Sequence, residues 1–438
     1  MLLRYSRPSL IKEGQIRFQA NRGGFFQLPT SSLPTALADG VMKSEQTQFQ
    51  TIPDHSQQPI ALAQRETPIK NNASLSPPTL PDLGMVISAT RFTNSLSLPL
   101  QTNHKKMQVT QFFRKPYDFH FSIEKLFRQI NPIINQSKNI RSYTSRFHSR
   151  GLLTRLKMIL EARKQSADVN HITGDIHFIA FGLQKKNTIL TIHDLGFTKH
   201  PNPLARFILW LFWIYLPVKR VAAITTISQA SKDDIIKYAR CKSEKVRIIP
   251  NFVPQEIQYS AKKFNHEKPI ILQIGTKFNK NLERTIRALE GINCHLRIIG
   301  KLTPTHIELL QTRKIDYSND SRITDKQLIE EYQNCDLVTF CSTLEGFGMV
   351  ILEAQATGRP VVTSNLSSMP EVAGDGACLV NPYEISSIRT GVIKVIKDES
   401  YRKFLMEKGF KNCKRYTLPS VAKQYYQLYQ EVHEKAHS

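Results

Sequence analysis

The sequence predicts an α/β protein of two doubly wound domains, preceded by a segment that belongs to neither. Three observations carry this. At 438 residues the chain exceeds one ordinary core, and its 40% hydrophobic content is ample for two. From Met107 onward, short apolar runs rich in β-branched residues alternate with helical stretches of about ten residues, the mark of parallel sheets covered by helices. The alternation runs in two series, separated by the polar, aperiodic stretch "FVPQEIQYSAKKFNHE" (252–267).

Residues 1–106 differ from the rest. They hold ten of the 23 prolines and no cysteine or tryptophan, and stretches such as "NNASLSPPTLPDLG" keep no period long enough to bury a face. This segment reads as a disordered leader or a spurious upstream extension, with Met107 as the functional start; an organelle transit segment is the alternative. It carries 11 basic and 6 acidic residues, so +19 of the total charge of +24 stays with 107–438.

The first domain is assigned to 107–262. "MQVTQFF" is its first strand, and "FSIEKLFRQI" is an amphipathic helix with Ser122 as N-cap. "DIHFIA", "NTILTIHD", "RVAAITTIS" and "KVRIIPN" read as strands, and "SQASKDDIIKYA" as a helix capped by Ser231 with Asp233 and Asp234 in its first turn. The second domain, 263–418, opens with "KPIILQIG" and continues through "CHLRIIG", "CDLVTF", "RPVVTS" and "ACLVN". Within it, Ser368–Glu371 fits a capping box. The last segment, 419–438, is an amphipathic helix. In such a fold, ligands are expected at the carboxyl ends of the strands.

Composition narrows the function. The net charge of +24 points to an anionic partner. The six cysteines form no C-x-x-C pair and no metal-spaced cluster, so they read as reduced thiols of a cytoplasmic protein. No run reaches the roughly eighteen apolar residues of a membrane span, and the first ten residues hold no continuous apolar segment, which makes a poor secretory signal. "FILWLFWIYLP" (207–217), flanked by Arg206, Lys219 and Arg220, fits two roles: a helix docking on an anionic membrane, or an ordinary buried helix.

The most informative stretch is "STLEGFGMVILEAQATGRPVV" (342–362). A strand, a Gly-containing turn and a helix start present unpaired N–H groups and a positive dipole end to an anion. Gly346 and Gly348 let the backbone approach a phosphate, Glu345 sits beside whatever that phosphate carries, and Glu353 lies about one turn into the helix. A carboxylate can accept two vicinal hydroxyls, so the pair fits a sugar on one side of a pyrophosphate and a ribose on the other. Taken singly, each glutamate could also be a solvated surface residue.

"LEGFGMVILEAQATGRPVVTSNLSSMPEV" closely resembles the glutamate–x7–glutamate signature of the family-4 retaining glycosyltransferases, which have the GT-B fold of two Rossmann-like domains facing a cleft. The resemblance extends over about 107–435 and includes "VTQFFRKP", "TIHDLGF", "TTISQASKDDI", "IIPNFV" and "QIGTKFNKNLERTIRAL". It implies that Glu345 contacts the donor sugar, that Glu353 binds the nucleotide ribose, and that the backbone of Gly346, Phe347 and Gly348 holds the pyrophosphate. In "GTKFNKN", Lys280 matches the family's phosphate-neutralising lysine. Thr276 stands where an arginine is usual, Lys277 is its replacement, and Gly275 opens the turn. His193 ends a strand facing the cleft and falls where relatives have a histidine near the donor sugar; a core or capping role is the alternative. Asp194 fits a turn cap as well as a substrate contact, and His171, Asp175 and His177 fit structural roles. The loop after "VTQFF" lacks the Gly-Gly pair of many relatives.

The function implied is transfer of a hexose from a UDP- or GDP-sugar to a glycan or lipid-linked acceptor, in cell-surface polysaccharide, lipopolysaccharide or glycolipid synthesis. Neither metal nor cofactor is expected. Lysines and a helix N-terminus would do the metal's electrostatic work. The expected location is cytoplasmic or peripheral on the inner membrane face, and the final helix would cross back to the first domain. The alternatives are a nucleotide-sugar epimerase of the same fold or a basic nucleic-acid-binding protein. Charge alone supports the latter, since the sequence shows no helix-turn-helix, zinc finger or aromatic single-strand platform.

Overall fold

The computed structural model describes residues 107–116, 122–135, 139–195 and 201–438. The segment read above as a leader, 1–106, lies outside them. The described strands form two six-stranded sheets in which every pairing is parallel. The first comprises β1 (Val109–Phe113), β2 (Ile140–Thr144), β3 (Val169–Ile172), β4 (Thr188–Thr191), β5 (Ala223–Thr226) and β6 (Val246–Ile248), in the order β2-β1-β3-β4-β5-β6. The second comprises β7 (Ile270–Ile274), β8 (His295–Ile299), β9 (Tyr317–Asp320), β10 (Leu337–Phe340), β11 (Val361–Ser364) and β12 (Cys378–Val380), in the order β12-β11-β10-β7-β8-β9. The winding direction reverses once in each sheet, between β1 and β3 and between β7 and β10. These reversals open the crevices in which such sheets hold ligands.

Local chemistry moves several elements from where the sequence placed them. "DIHFIA" is not a strand. Its apolar residues are buried in a 3-10 turn, His177–Gly182, and the strand precedes it as β3. A short apolar run cannot distinguish a buried strand from a buried turn, and β3 was hidden because its middle residues, Asn170 and His171, are polar. The helix Gln229–Ala239 is capped not by Ser231 but by Ser228, whose extended backbone (φ −152°, ψ 162°) lets its hydroxyl accept from Ser231 N. Asp233 and Asp234 therefore fall beyond the first turn. Ser368 is no capping-box residue either: its backbone is already helical (φ −79°, ψ −12°) and its side chain caps nothing.

The aromatic helix runs as α-helix over Pro203–Leu209, π-helix over Trp210–Tyr215 and α-helix again over Leu216–Lys219. Pro217 explains the widening, because its nitrogen cannot donate to the carbonyl four residues back, that of Trp213. His177 Nδ1 takes up that freed carbonyl at 2.6 Å.

The final helix, Leu418–His437, starts on Thr417, whose hydroxyl accepts from Ser420 N. Val421, Ala422, Tyr425, Leu428, Tyr429 and Val432 recur at helical spacing and pack with Val109, Phe127, Ile130, Val169 and Ile189 of the first sheet and its helix. Tyr429 OH accepts from Gln111 Nε2 (3.0 Å) and lies 2.8 Å from His171 Nδ1, while His171 Nε2 lies 2.6 Å from Thr191 Oγ1. Gln111, His171, Thr191 and Tyr429 thereby partner one another in the core, and burial holds the His171 pKa down at about 3.

Candidate active site

The second sheet's reversal brings two loops together. After β7 the chain turns at Gly275 (φ +88°), where an added Cβ would lie 2.9 Å from Lys280 Cγ. The glycine therefore lets the Lys280 stem cross the turn. Asn281 closes the loop in the left-handed region (φ 59°), and its amide donates to the carbonyls of Cys341 and Pro382. After β10, residues 341–348 form the facing loop. Lys280 Nζ lies 2.7 Å from Glu345 Oε1, and Asn279 Nδ2 donates to the same oxygen at 3.2 Å. The pair is only partly hydrated, with side chains 21% and 14% exposed. Its ammonium also sits 4.6 Å over the Phe340 ring. Glu345 Oε2 has no hydrogen-bond partner among the described residues.

Gly348 (φ +103°) starts the helix Met349–Thr357 with no side-chain cap, so the leading N–H groups are left for a ligand or water. Phe347 anchors the turn from below, edge-on to Tyr416 at 5.8 Å. Ser367 donates to Glu345 O (2.7 Å), and Ser368 to Glu345 O (3.0 Å) and Phe347 O (2.8 Å), so the carbonyls of the turn are held by serines.

The same turn meets the first sheet's domain. Gly346 O accepts from Ser228 Oγ (2.7 Å) and Ser231 Oγ (3.2 Å). An added Cβ at Gly346 would lie 2.7 Å from His193 O, just beyond β4. Glu371 Oε2 accepts from Gln229 N at 2.7 Å, so this residue caps a helix of the other domain rather than its own.

Glu353 sits in the second turn of its helix, where Tyr332 OH donates to its Oε2 at 2.6 Å. Burial pushes the Glu353 carboxyl above the usual carboxylate range, and the tyrosine hydrogen bond pulls it partly back. Nearby, Lys125 from the helix Ser122–Ile134 pairs across to Asp325 at 2.7 Å.

On the first sheet, Arg114, Asp175 and His193 follow the adjacent strands β1, β3 and β4. Arg114 pairs with Glu124 (3.3 Å) and Asp175 (3.1 Å). His193 Nε2 lies 3.1 Å from Thr173 O, which assigns its proton to Nε2, and burial lowers its pKa so that the ring is neutral. His177 also packs in this domain's core.

The structure thus brings Lys280, Gly275 and Glu345 together, sets Gly346 against the His193 backbone, and holds Glu353 on a tyrosine. Among the described residues, Thr276 and Lys277 form no side-chain hydrogen bond or ion pair with Lys280 or Glu345. The Thr276 hydroxyl donates to Lys301 O (2.7 Å), and Lys277 is exposed. Sequence reasoning missed Arg114, Asn279, Tyr332 and the Ser228–Ser231 pair. An arginine directly after a buried strand at the sheet reversal was the available signal for Arg114. Among the described residues no group of three or more His, Cys, Asp or Glu is arranged to hold a metal, and no helix is long and apolar enough to cross a membrane.

Comparison with known proteins gives a consistent picture. The model for glycosyltransferase family 4 matches residues 108–256, and that for glycosyl transferases group 1 matches 254–412. The serotype-specific mannosyltransferase WbdA of Escherichia coli is 28% identical over 228 residues, 47% of this chain and 28% of that protein. The O-antigen chain mannosyltransferase RfbU of Salmonella typhimurium is 26% identical over 215 residues, 47% of this chain and 60% of that protein. The chain therefore spans less than two thirds of either relative. Among solved structures, Anabaena HepE in complex with UDP-glucose superposes with a TM-score of 0.60 at 14% identity, covering 74% of this chain and 99% of that one.

Proposed function

The chain belongs to the family-4 glycosyltransferases of the GT-B fold, and from that premise we propose that it moves a hexose from a nucleotide-sugar donor to a hydroxyl acceptor in the synthesis of a cell-surface polysaccharide or glycolipid. The observation that carries this reading is the Lys280–Glu345 pair at the strand-order reversal, set beside an uncapped helix N-terminus. Phosphate oxygens on the 346–348 amides would lie within the field of that helix end, and Lys280 would neutralise the charge that grows on the leaving nucleoside diphosphate. No metal is required in this scheme. Glu345 Oε2 would accept hydroxyls of the sugar, and Glu353, with one oxygen already held by Tyr332, would take the ribose diol. Neutral His193 can position the sugar but is a poor choice of nucleophile.

We further propose retention by a front-face route. The bond from the anomeric carbon to the diphosphate oxygen breaks, the acceptor oxygen bonds to that carbon from the same face, and its proton passes to the departing phosphate. Mannose is the first donor sugar to test, because WbdA and RfbU are mannosyltransferases.

An anionic membrane surface is the proposed setting for a lipid-linked acceptor. The helices Leu152–Lys164 and Pro203–Leu209 leave Leu152, Leu153, Leu204 and Phe207 exposed among basic residues, and Arg155 stacks 4.6 Å over Trp213 between the two regions. The test of the core reading is a thermal-shift and sugar-transfer screen of the full chain against UDP-, GDP- and ADP-sugars. Lys280→Ala and Glu345→Ala should each lower turnover by about a hundredfold or more while melting within a few degrees of the parent. Full activity in both variants would refute the assignment.

A further inference from the structure

Away from the cleft, at the opposite ends of the same strands, the first domain holds a cavity of about 710 Å³. Its wall is formed by residues that directly precede β4, β5 and β6, whereas His193 follows β4. A four-residue strand of about 13 Å separates the two places. Lys185, Lys186, Lys219, Arg240, Lys242 and Lys245 line it, against the single acid Glu244, over a floor that includes Val218 and Val221. We propose that this basin is a second anion site, built for a ligand carrying clustered phosphate groups. The proposal does not rest on the reading of the cleft.

Four features point the same way. None of the six cations forms a salt bridge with a carboxylate among the described residues. Lys245 Nζ donates to Val218 O (2.5 Å), Lys186 Nζ to Ala436 O (2.6 Å) and Lys219 Nζ to Tyr215 OH (2.5 Å), all neutral acceptors. Five of the six are exposed and Lys245 is half-buried; like charges gathered this closely repel one another, an arrangement that an anion relieves. Lys245 registers this: desolvation first, then the charge of Lys185, lowers its pKa.

Backbone geometry adds the third feature. Arg240 closes the helix Gln229–Ala239 in the left-handed region (φ 49°, ψ 50°), a place normally taken by glycine or asparagine. Here a large cation holds that position at the edge of the basin. Its planar guanidinium can grip a phosphate with two parallel hydrogen bonds while the lysines act as point charges around it.

The lining supplies the fourth. It contains no aromatic ring on which bases could stack, which favours a compact polyphosphate group over a nucleic-acid strand. Two sources share this chemistry: a soluble polyphosphorylated compound and the headgroups of an anionic lipid.

The experiment titrates the full chain calorimetrically with inorganic tripolyphosphate, and in parallel sediments it with phosphatidylcholine vesicles with or without phosphatidylglycerol. Both are repeated with Arg240→Glu/Lys242→Glu, two exposed positions. Any anion held at the cleft is common to parent and variant and cancels. Saturable binding should weaken on the order of tenfold or more in the variant. It should also fade near 1 M salt, where the Debye length shrinks to about 3 Å. Preference for tripolyphosphate identifies a soluble ligand, and preference for phosphatidylglycerol vesicles a lipid headgroup. Should the double variant melt early, Lys242→Gln serves in its place, with a smaller loss expected. Equal binding by parent and variant, or no binding of either probe by the parent, overturns the proposal.

Discussion

Replacing Gly346 by alanine tests whether the cleft works closed. Gly346 is not among the positive-φ glycines, so alanine meets no backbone strain there. What it meets is His193 O at 2.7 Å, against the 3.4 Å at which ordinary contact begins. The obstacle is a backbone carbonyl of the other domain, which cannot rotate aside, so the two loops must part by about 0.7 Å. That separation stretches the Ser228 and Ser231 bonds to Gly346 O, at 2.7 and 3.2 Å. Overpacking of this kind costs about 1–3 kcal/mol, which corresponds to roughly 5- to 150-fold if the closed arrangement is the reactive one. Because parting the loops relieves the clash, the melting temperature should move little. The assay is kcat/KM for sugar transfer beside thermal melting, with Ser228→Ala as a partner that loses both the bond to Gly346 O and the cap on Ser231 N, each about 1 kcal/mol, and so should also lower the melting temperature. A Gly346→Ala enzyme within twofold of the parent in kcat/KM would refute the closed-cleft reasoning.

Other outcomes follow from the same geometry. Tyr332→Phe removes the 2.6 Å bond to Glu353, a hydrogen bond to a charged group worth about 1.5–3 kcal/mol, and should raise the donor KM by roughly tenfold or more with kcat little changed. That bond lowers the Glu353 pKa against its burial, so without it the carboxylate protonates at higher pH and the acidic limb of the donor-binding profile should move upward. His171 is held neutral by a folded-state pKa of about 3, below the 6.5 usual for a histidine. Its contribution is present above about pH 6.5 and is lost as pH falls toward the folded value, at up to about 1.4 kcal/mol per pH unit. Urea denaturation of His171→Gln should accordingly show lower stability at pH 7.5 but a shallower decline toward pH 5. Leu153→Ser combined with Phe207→Ser should cut sedimentation with anionic vesicles while leaving transfer to a soluble acceptor unchanged, since both side chains are exposed.

The parallel sheets and the glutamate turn were legible because their signals are local. Apolar β-branched runs mark β4, β7 and β10, and Gly346 and Gly348 flank a phenylalanine between two acids. What stayed hidden depends on partners far along the chain. Nothing near Ser368 shows that its hydroxyl turns back to Glu345 O and Phe347 O, and nothing near Glu371 shows that it caps a helix starting 142 residues earlier. Tyr332 looked like any buried aromatic, since its role depends on a hydroxyl aimed at a residue on another helix. β3 was masked for a related reason: Asn170 and His171 break its apolar pattern, and only the folded core supplies Asn187, Thr191 and Tyr429 to satisfy them.

The docking of Leu418–His437 on the first sheet bears on how the chain matures. Gln111 and Tyr429 are 318 residues apart, so the half that leaves the ribosome first lacks its covering helix until the second domain has been translated. Until then Phe127 and Ile189 lack the side chains of that helix with which they pack in the folded protein. The order of synthesis and the order of completion are therefore inverted: the sheet made second, with its own helices close in sequence, can finish before the sheet made first.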